Sequence, residues 1–144
     1  MIEALAVCSV PKLISANSPD FPPKNSAGTR DVIEWKIIHN ASEKELNIYG
    51  VHFKASSGSS NASQRLEEAA ILREHLNGLP LGRNFIVAGD FNIYSNSSSS
   101  EPAFNMLTGE SDNNIGRLFD PINRIGNWHN NSSVSYTHLT LPTK

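Results

Sequence analysis

Asp90 and Asn92 close the run NFIVAGDFN (84–92), where apolar residues fit for a buried strand stop on Asp-Phe-Asn. A carboxylate beside a core is costly unless a cap, an ion pair, a metal or a reaction compensates for its lost hydration. In a strand, residues i and i+2 face the same way, so Asp90 and Asn92 share one side while Phe91 turns into the opposite layer. That pairing suits hydrolysis: the carboxylate can bind a metal or orient a water, and the amide can donate to a phosphoryl oxygen. It equally suits plain structure, with Asp90 capping the following loop and Asn92 making an Asx-turn. Gly89 leaves room for a neighbouring backbone or a ligand to approach. Upstream, IYGVHFKA (48–55) carries His52 and Lys54 on the face opposite Tyr49, Val51 and Phe53. Alone, a strand histidine is an ordinary hydrogen-bonded residue and Lys54 a solvated edge charge.

The elements that must position these residues are legible in the pattern. DVIEWKIIH (31–39) alternates Val32/Glu34/Lys36 against Ile33/Trp35/Ile37 and predicts a strand, and NIYGVHFKA (47–55) predicts a second. The polar turn between them implies an antiparallel hairpin. NASQRLEEAAILREHLNGLP (61–80) predicts a helix with Asn61 as N-cap, Gln64 three residues on, acids in the first turn and a Gly78/Pro80 stop. Its expected buried stripe is Leu66, Ala69, Ala70, Leu76 and Leu79. NFIVAGDFN, continuously apolar, is expected to be a strand covered on both faces. A short helix over EPAFNMLTG (101–109) and an irregular RLFDPINR (117–124) follow. The order β-β-α-β-α points to layered α/β or α+β packing.

Composition narrows the classes. The 144 residues are enough for one domain with a real core, and a net charge of -2 supplies no basic field for nucleic acid. The one cysteine, Cys8, forms no internal disulfide, and no Cys/His spacing resembles a zinc site. No apolar stretch is long enough to span a bilayer, and MIEALAVCSV lacks the basic start and long apolar run of a signal peptide. No oligomer is implied. VSYTHLTLPT (134–143) resembles the in-frame translation of the transposon end and adapter used in sequencing libraries. Residues 134–144 are therefore set aside as a non-native tail, His138 with them, and the natural chain is expected to run on past Ser132.

VHFKASSGSS (51–60), QRLEEAAILREHL (64–76) and NFIVAGDFN together resemble the endonuclease/exonuclease/phosphatase superfamily, the DNase I-like fold. There a V-H-[LF]-K-A strand precedes an R-x-x-E helix, and a later strand ends in G-D-F-N. The run from Ser99 to Ser133 is similar to bacterial members, so the resemblance spans about 29–132, with 1–28 matching weakly and PKLIS (11–15) a candidate upstream strand. It divides the chain into a weakly matched segment 1–28, the central part of the domain at 29–133, and the tail.

The resemblance implies part of a four-layer α/β sandwich, two packed mixed or antiparallel sheets with outer helices. It also implies a metal-dependent phosphoesterase that uses Mg²⁺ or Mn²⁺. Carried over by position, Asp90 orients or deprotonates the attacking water near the metal, Asn92 bonds the scissile phosphate, and His52 stabilises the phosphoryl oxygens or acts with the acid group that this chain lacks. Arg30 is a candidate for holding a substrate phosphate or equally for a structural ion pair, Lys54 has a similar but weaker claim, and Asp120 is read as structural. The family's upstream Asn and metal-binding Glu have no counterpart, since Glu3 lacks the L-Q-E setting. The downstream Asp and His are expected beyond Ser132, and His129 comes too early to be that histidine. The chain is thus expected to hold about half of a site and to be inactive as written. Nucleic acid, a phospholipid headgroup and a sugar phosphate all remain open as the phosphate-ester substrate. The absence of a cysteine pair permits a secreted bacterial enzyme. The rival reading is a non-catalytic fragment or binding module in which GDFN is only a turn.

Overall fold

The computed structural model of the protein describes residues 12–17, 30–120 and 126. The tail and His129 lie outside the described residues. Four strands, β1 (Lys12–Asn17), β2 (Ile33–Ile38), β3 (Glu45–His52) and β4 (Asn84–Asp90), form one sheet in the order β1-β2-β3-β4. β2 and β3 pair antiparallel as the expected hairpin, with Ile33 opposite Gly50 and Ile38 opposite Glu45. β3 and β4 pair parallel, because the chain between them crosses back through helix α1 (Ser59–Asn77). A second helix, α2 (Pro102–Thr108), follows β4 and begins with proline, whose missing N–H suits a first turn. The fold class is α/β, as expected. Within the weakly matched segment 1–28, residues 12–17 form β1 and pair antiparallel with β2, in line with PKLIS as an upstream strand.

One face of the sheet is sealed by the helices. Tyr49 and Val51 of β3 with Phe53 just past it, and Phe85 and Val87 of β4 with Phe91 just past it, are buried with Ala69, Leu72 and Leu76 of α1 and Ala103 and Leu107 of α2. The other face carries Trp35, Ile48 and Ile86 in one row across the strands, and all three are only half-buried. The expectation that β4 is covered on both faces is therefore corrected. Its run of apolar residues has a helical layer on one side only among the described residues.

Helix α1 also starts earlier than the sequence predicts. Gly58, not Asn61, is the N-cap, with φ 105, a conformation glycine reaches without strain, and no acid lies in the first turn. Asn61 instead sits inside that turn and donates from Nδ2 to the Ser57 carbonyl at 2.8 Å. The stop is where it was expected: the Gly78 N–H caps the Glu74 and His75 carbonyls. The buried stripe is Ala62, Arg65, Ala69, Leu72, Arg73 and Leu76, while Leu66 and Ala70 stand half out. The error is one of phase. Two arginines occupy core-facing positions, and an apolar pattern cannot count them.

The same layer buries a polar cluster. Glu34 Oε1 accepts from the Tyr49 hydroxyl at 2.6 Å and from Asn47 Nδ2 at 2.7 Å, Lys36 Nζ lies 3.7 Å from Oε2, and His75 Nε2 sits 3.3 Å from the Tyr49 oxygen. Burial pushes the Glu34 carboxyl up, but the hydrogen bonds from Tyr49 and Asn47, with Lys36 nearby, more than offset it and hold it below its ordinary value of 4.5. Burial pushes the His75 imidazole below 6.5, and burial with the Glu34 hydrogen bond raises the Tyr49 phenol well above 10.0.

Linkage then fixes the sign of the pH dependence. The two lowered groups contribute stability that is present above their unfolded values and lost as pH falls. The loss begins below 6.5 with His75 and deepens below 4.5 with Glu34. Tyr49, being raised, contributes stability that is full below 10.0 and lost as pH rises above it. Urea unfolding at a series of pH values is expected to show a plateau near neutrality and a decline in stability as pH falls below 6.5. His75→Gln should remove that first step and leave the deeper acid loss in place.

Candidate active site

The strand ends that carry the motif residues meet because β3 and β4 are parallel neighbours. The last rung of their ladder joins His52 to Asp90, and the Phe53 N–H donates to the Asp90 carbonyl at 2.9 Å. Alternation turns Phe53 and Phe91 into the helical layer, where their rings meet edge-on with centroids 5.4 Å apart. His52 and Asp90 thus face the opposite side. There His52 Nε2 lies 3.8 Å from Asp90 Oδ2, with the side chains 45% and 58% exposed. At that distance and exposure the contact is electrostatic rather than a hydrogen bond, and it adds little stability.

Gly89 makes this pairing possible. Its φ is +141, and a Cβ there would come within 2.0 Å of the Val51 carbonyl oxygen, so the room it leaves is taken by neighbouring backbone. Asn92 ends the turn at φ 50, in the left-handed region that Asn tolerates. Its N–H donates to Asp90 Oδ1 at 3.0 Å, and its Nδ2 donates to the Phe53 carbonyl at 3.0 Å. Asp90 therefore caps the loop with one oxygen and leaves the other beside His52. Asn92 ties the ends of β3 and β4 together and keeps a second amide N–H. The structural bonds of the motif thus leave Asp90 Oδ2 and one Asn92 amide N–H for other partners.

The two candidate phosphate contacts sit at this end of the sheet. Lys54 is half-buried two residues past His52, and Arg30 is exposed three residues before β2 begins, where β3 and β4 end. Asp120 is half-buried. Asp90 is a hard oxygen donor of the kind Mg²⁺ selects. Among the described residues, however, no three His, Cys, Asp or Glu side chains converge on one point. The donor set fits a largely hydrated ion held at one corner by Asp90, not a closed cage.

Residues beyond the expected set shape the site. Arg65, fully buried, donates from Nη1 to the carbonyls of Lys54 at 2.8 Å and Ser56 at 2.9 Å. It pairs in a fork with Glu101, Nη2 to Oε1 at 2.5 Å and Nε to Oε2 at 3.0 Å. Glu68 Oε2 accepts the Lys54 N–H at 2.8 Å. Arg65 and Glu68 are the R-x-x-E of the helix, one turn apart and so on one face. That spacing was the signal for them. Nothing in the sequence pointed to Glu101, 36 residues from Arg65.

No family model and no curated protein sequence matches the chain. Solved structures do. A mannosyl-6-phosphatase of Bacteroides thetaiotaomicron superposes with a TM-score of 0.51 at 15% identity, over 92% of this chain and 53% of that one. SmcL superposes with a TM-score of 0.51 at 12% identity, over 78% of this chain and 43% of its own. This is the DNase I-like fold. A Staphylococcus aureus beta toxin variant with bound magnesium ions is also similar, with a TM-score of 0.49 at 11% identity over 77% and 41%. The chain spans about half or less of the DNase I-like structures it matches. Its four described strands form one sheet of that architecture with the helical layer outside it.

Proposed function

We propose that this DNase I-like chain carries the central part of a metal-dependent phosphoesterase site, with Asp90, Asn92 and His52 as its catalytic residues and Asp90 as a metal ligand. The observation that supports the reading is the convergence of His52 and Asp90 on adjacent parallel strand ends, with Asn92 fastened against both. A pairing of 3.8 Å contributes little to folding and leaves both groups open to solvent, as a reacting site requires. A capping role alone accounts for Asp90 Oδ1 but not for the placement of Oδ2 beside an imidazole.

A bound Mg²⁺ or Mn²⁺ supplies positive charge where negative charge gathers on the phosphoryl oxygens. The remaining roles belong to side chains of this chain. Asp90 Oδ2 orients the attacking water and accepts its proton. The second amide N–H of Asn92 donates to a phosphoryl oxygen, and a ring N–H of His52 donates to another. Lys54 and Arg30 hold the non-reacting side of the phosphate. Nucleic acid, a phospholipid headgroup and a sugar phosphate all supply such an ester, and the fold hosts many substrates.

Nuclear magnetic resonance of the 144-residue chain tests the site directly. Substoichiometric Mn²⁺ is expected to broaden the resonances of Asp90, His52 and Asn92 first, and Asp90→Asn to abolish that selectivity. With a single carboxylate among the described site residues, binding should be weak, with a dissociation constant on the order of 1 mM or above. Broadening that centres on Glu110 and Asp112 and ignores Asp90→Asn would count against the reading.

A further inference from the structure

We propose that Arg65, Glu68 and Glu101 are positioning residues of this site, acting as one clamp that sets the two loops leaving β3 and β4. The inference rests on the catalytic reading of His52 and Asp90 given above. It assigns them a support that lies wholly on the helical side of the sheet.

The loop after β3 is gripped at one residue, through the two peptides that flank it. Glu68 takes the Lys54 N–H at 2.8 Å, and Arg65 takes the Lys54 carbonyl at 2.8 Å. Arg65 also holds the carbonyl of Ser56, a residue with φ 78. A non-glycine residue keeps such a conformation only where its surroundings fix it, and here a buried guanidinium receives the carbonyl that the turn directs inward. The loop after β4 is held by the other edge of the same guanidinium. Glu101, which ends that loop as the N-cap of α2, is nearly buried and accepts two parallel bonds from Arg65. Tyr94, four residues past Asp90, lies against the guanidinium with its ring centre 5.0 Å from the central carbon.

One planar cation therefore spans both loops. A fork of fixed geometry is what this task needs, because a lysine ammonium can reach one partner but cannot hold a carboxylate and two carbonyls in set directions. The consequence falls on the site. Lys54 follows His52 by two residues, so fixing its two peptides fixes where β3 stops relative to Asp90 and where the Lys54 side chain starts.

Resonance measurements on the 144-residue chain decide the matter through a pair of variants that leave the buried ion pair alone. Glu68→Leu removes the acceptor for the Lys54 N–H, and Glu68→Gln restores one. Glu68→Leu is expected to speed exchange of the Lys54 amide roughly tenfold, at near-unchanged thermal midpoint. It should also abolish the cross-relaxation between the His52 ring and the Asp90 methylene, and weaken the Mn²⁺ response at Asp90 several-fold. Glu68→Gln should return all three, and Arg65→Lys should reproduce the losses if it folds. The clamp is overturned if Glu68→Leu frees the Lys54 amide while the His52–Asp90 contact and the Mn²⁺ response persist, or if wild type lacks that contact. A contact that depends on Glu68 in a wild-type chain whose Asp90 ignores Mn²⁺ supports the clamp and rejects the metal reading, so the two claims fail separately.

Discussion

Gly89→Ala is expected to destabilise the protein by about 3–4 kcal/mol and to detach the end of β4 from β3. Two effects add. At φ +141 an L-residue is strained whatever the space around it, and the new Cβ would sit 2.0 Å from the Val51 carbonyl oxygen. That oxygen belongs to backbone paired in the ladder, so it cannot swing away as a flexible side chain would. Either the strands part or the peptide at Gly89 rotates, and both remove the His52–Asp90 pairing one residue further on. Gly82→Ala separates the two effects. Gly82 has φ +80 with nothing within 4 Å of an added Cβ, so its replacement should cost only the conformational part, about 1 kcal/mol. Urea unfolding of both variants checks the difference. Equal losses would mean that the approach of β3 to β4 is looser than the pairing implies.

Much of this architecture was legible because period and punctuation agree. The alternation at 31–39 and 47–55 gave the hairpin, and Gly78 gave the end of α1. The spacing of Asp90 and Asn92 placed both at a strand end, and the resemblance carried by VHFKA, R-x-x-E and GDFN named the fold. What escaped was polar burial. Arg65 and Arg73 occupy positions that a hydrophobic stripe assigns to Leu66 and Ala70, since a guanidinium whose donors are all met can lie in a core. Arg73 meets its need with backbone carbonyls, Leu107 at 2.8 Å among them, which no sequence pattern advertises. The start of α1 was misread for a related reason. Asn61 looked like a cap, but Gly58 turns the chain three residues sooner and leaves Asn61 to bond the Ser57 carbonyl. Glu34 shows the limit from the other side: its alternation was visible, but that it faces the helices depends on Tyr49 and Asn47 arriving from β3 to satisfy it.

The role of Asp90 is where the account stands most exposed. The 144-residue chain is expected to show no turnover above background with Mg²⁺ or Mn²⁺, because Asp90 alone cannot complete an ion's shell of about six oxygens. In the protein expressed from the complete gene, Asp90→Ala should lower metal-dependent hydrolysis by three orders of magnitude or more. Groups that act as a unit do not substitute for one another, and this variant removes both a metal oxygen and the acceptor of the water's proton. The fold should survive the change, since the carboxylate is 58% exposed and its one structural bond, to the Asn92 N–H, caps a loop at the sheet's end. The most direct test is therefore turnover of bis-p-nitrophenyl phosphate and p-nitrophenyl phosphate by that complete protein and its Asp90→Ala variant, with Mg²⁺ in excess and folding verified by thermal melts. The account predicts metal-dependent turnover of at least one ester that falls to background in a folded Asp90→Ala protein. Turnover that survives the substitution, or a folded complete protein that hydrolyses neither ester, would contradict it.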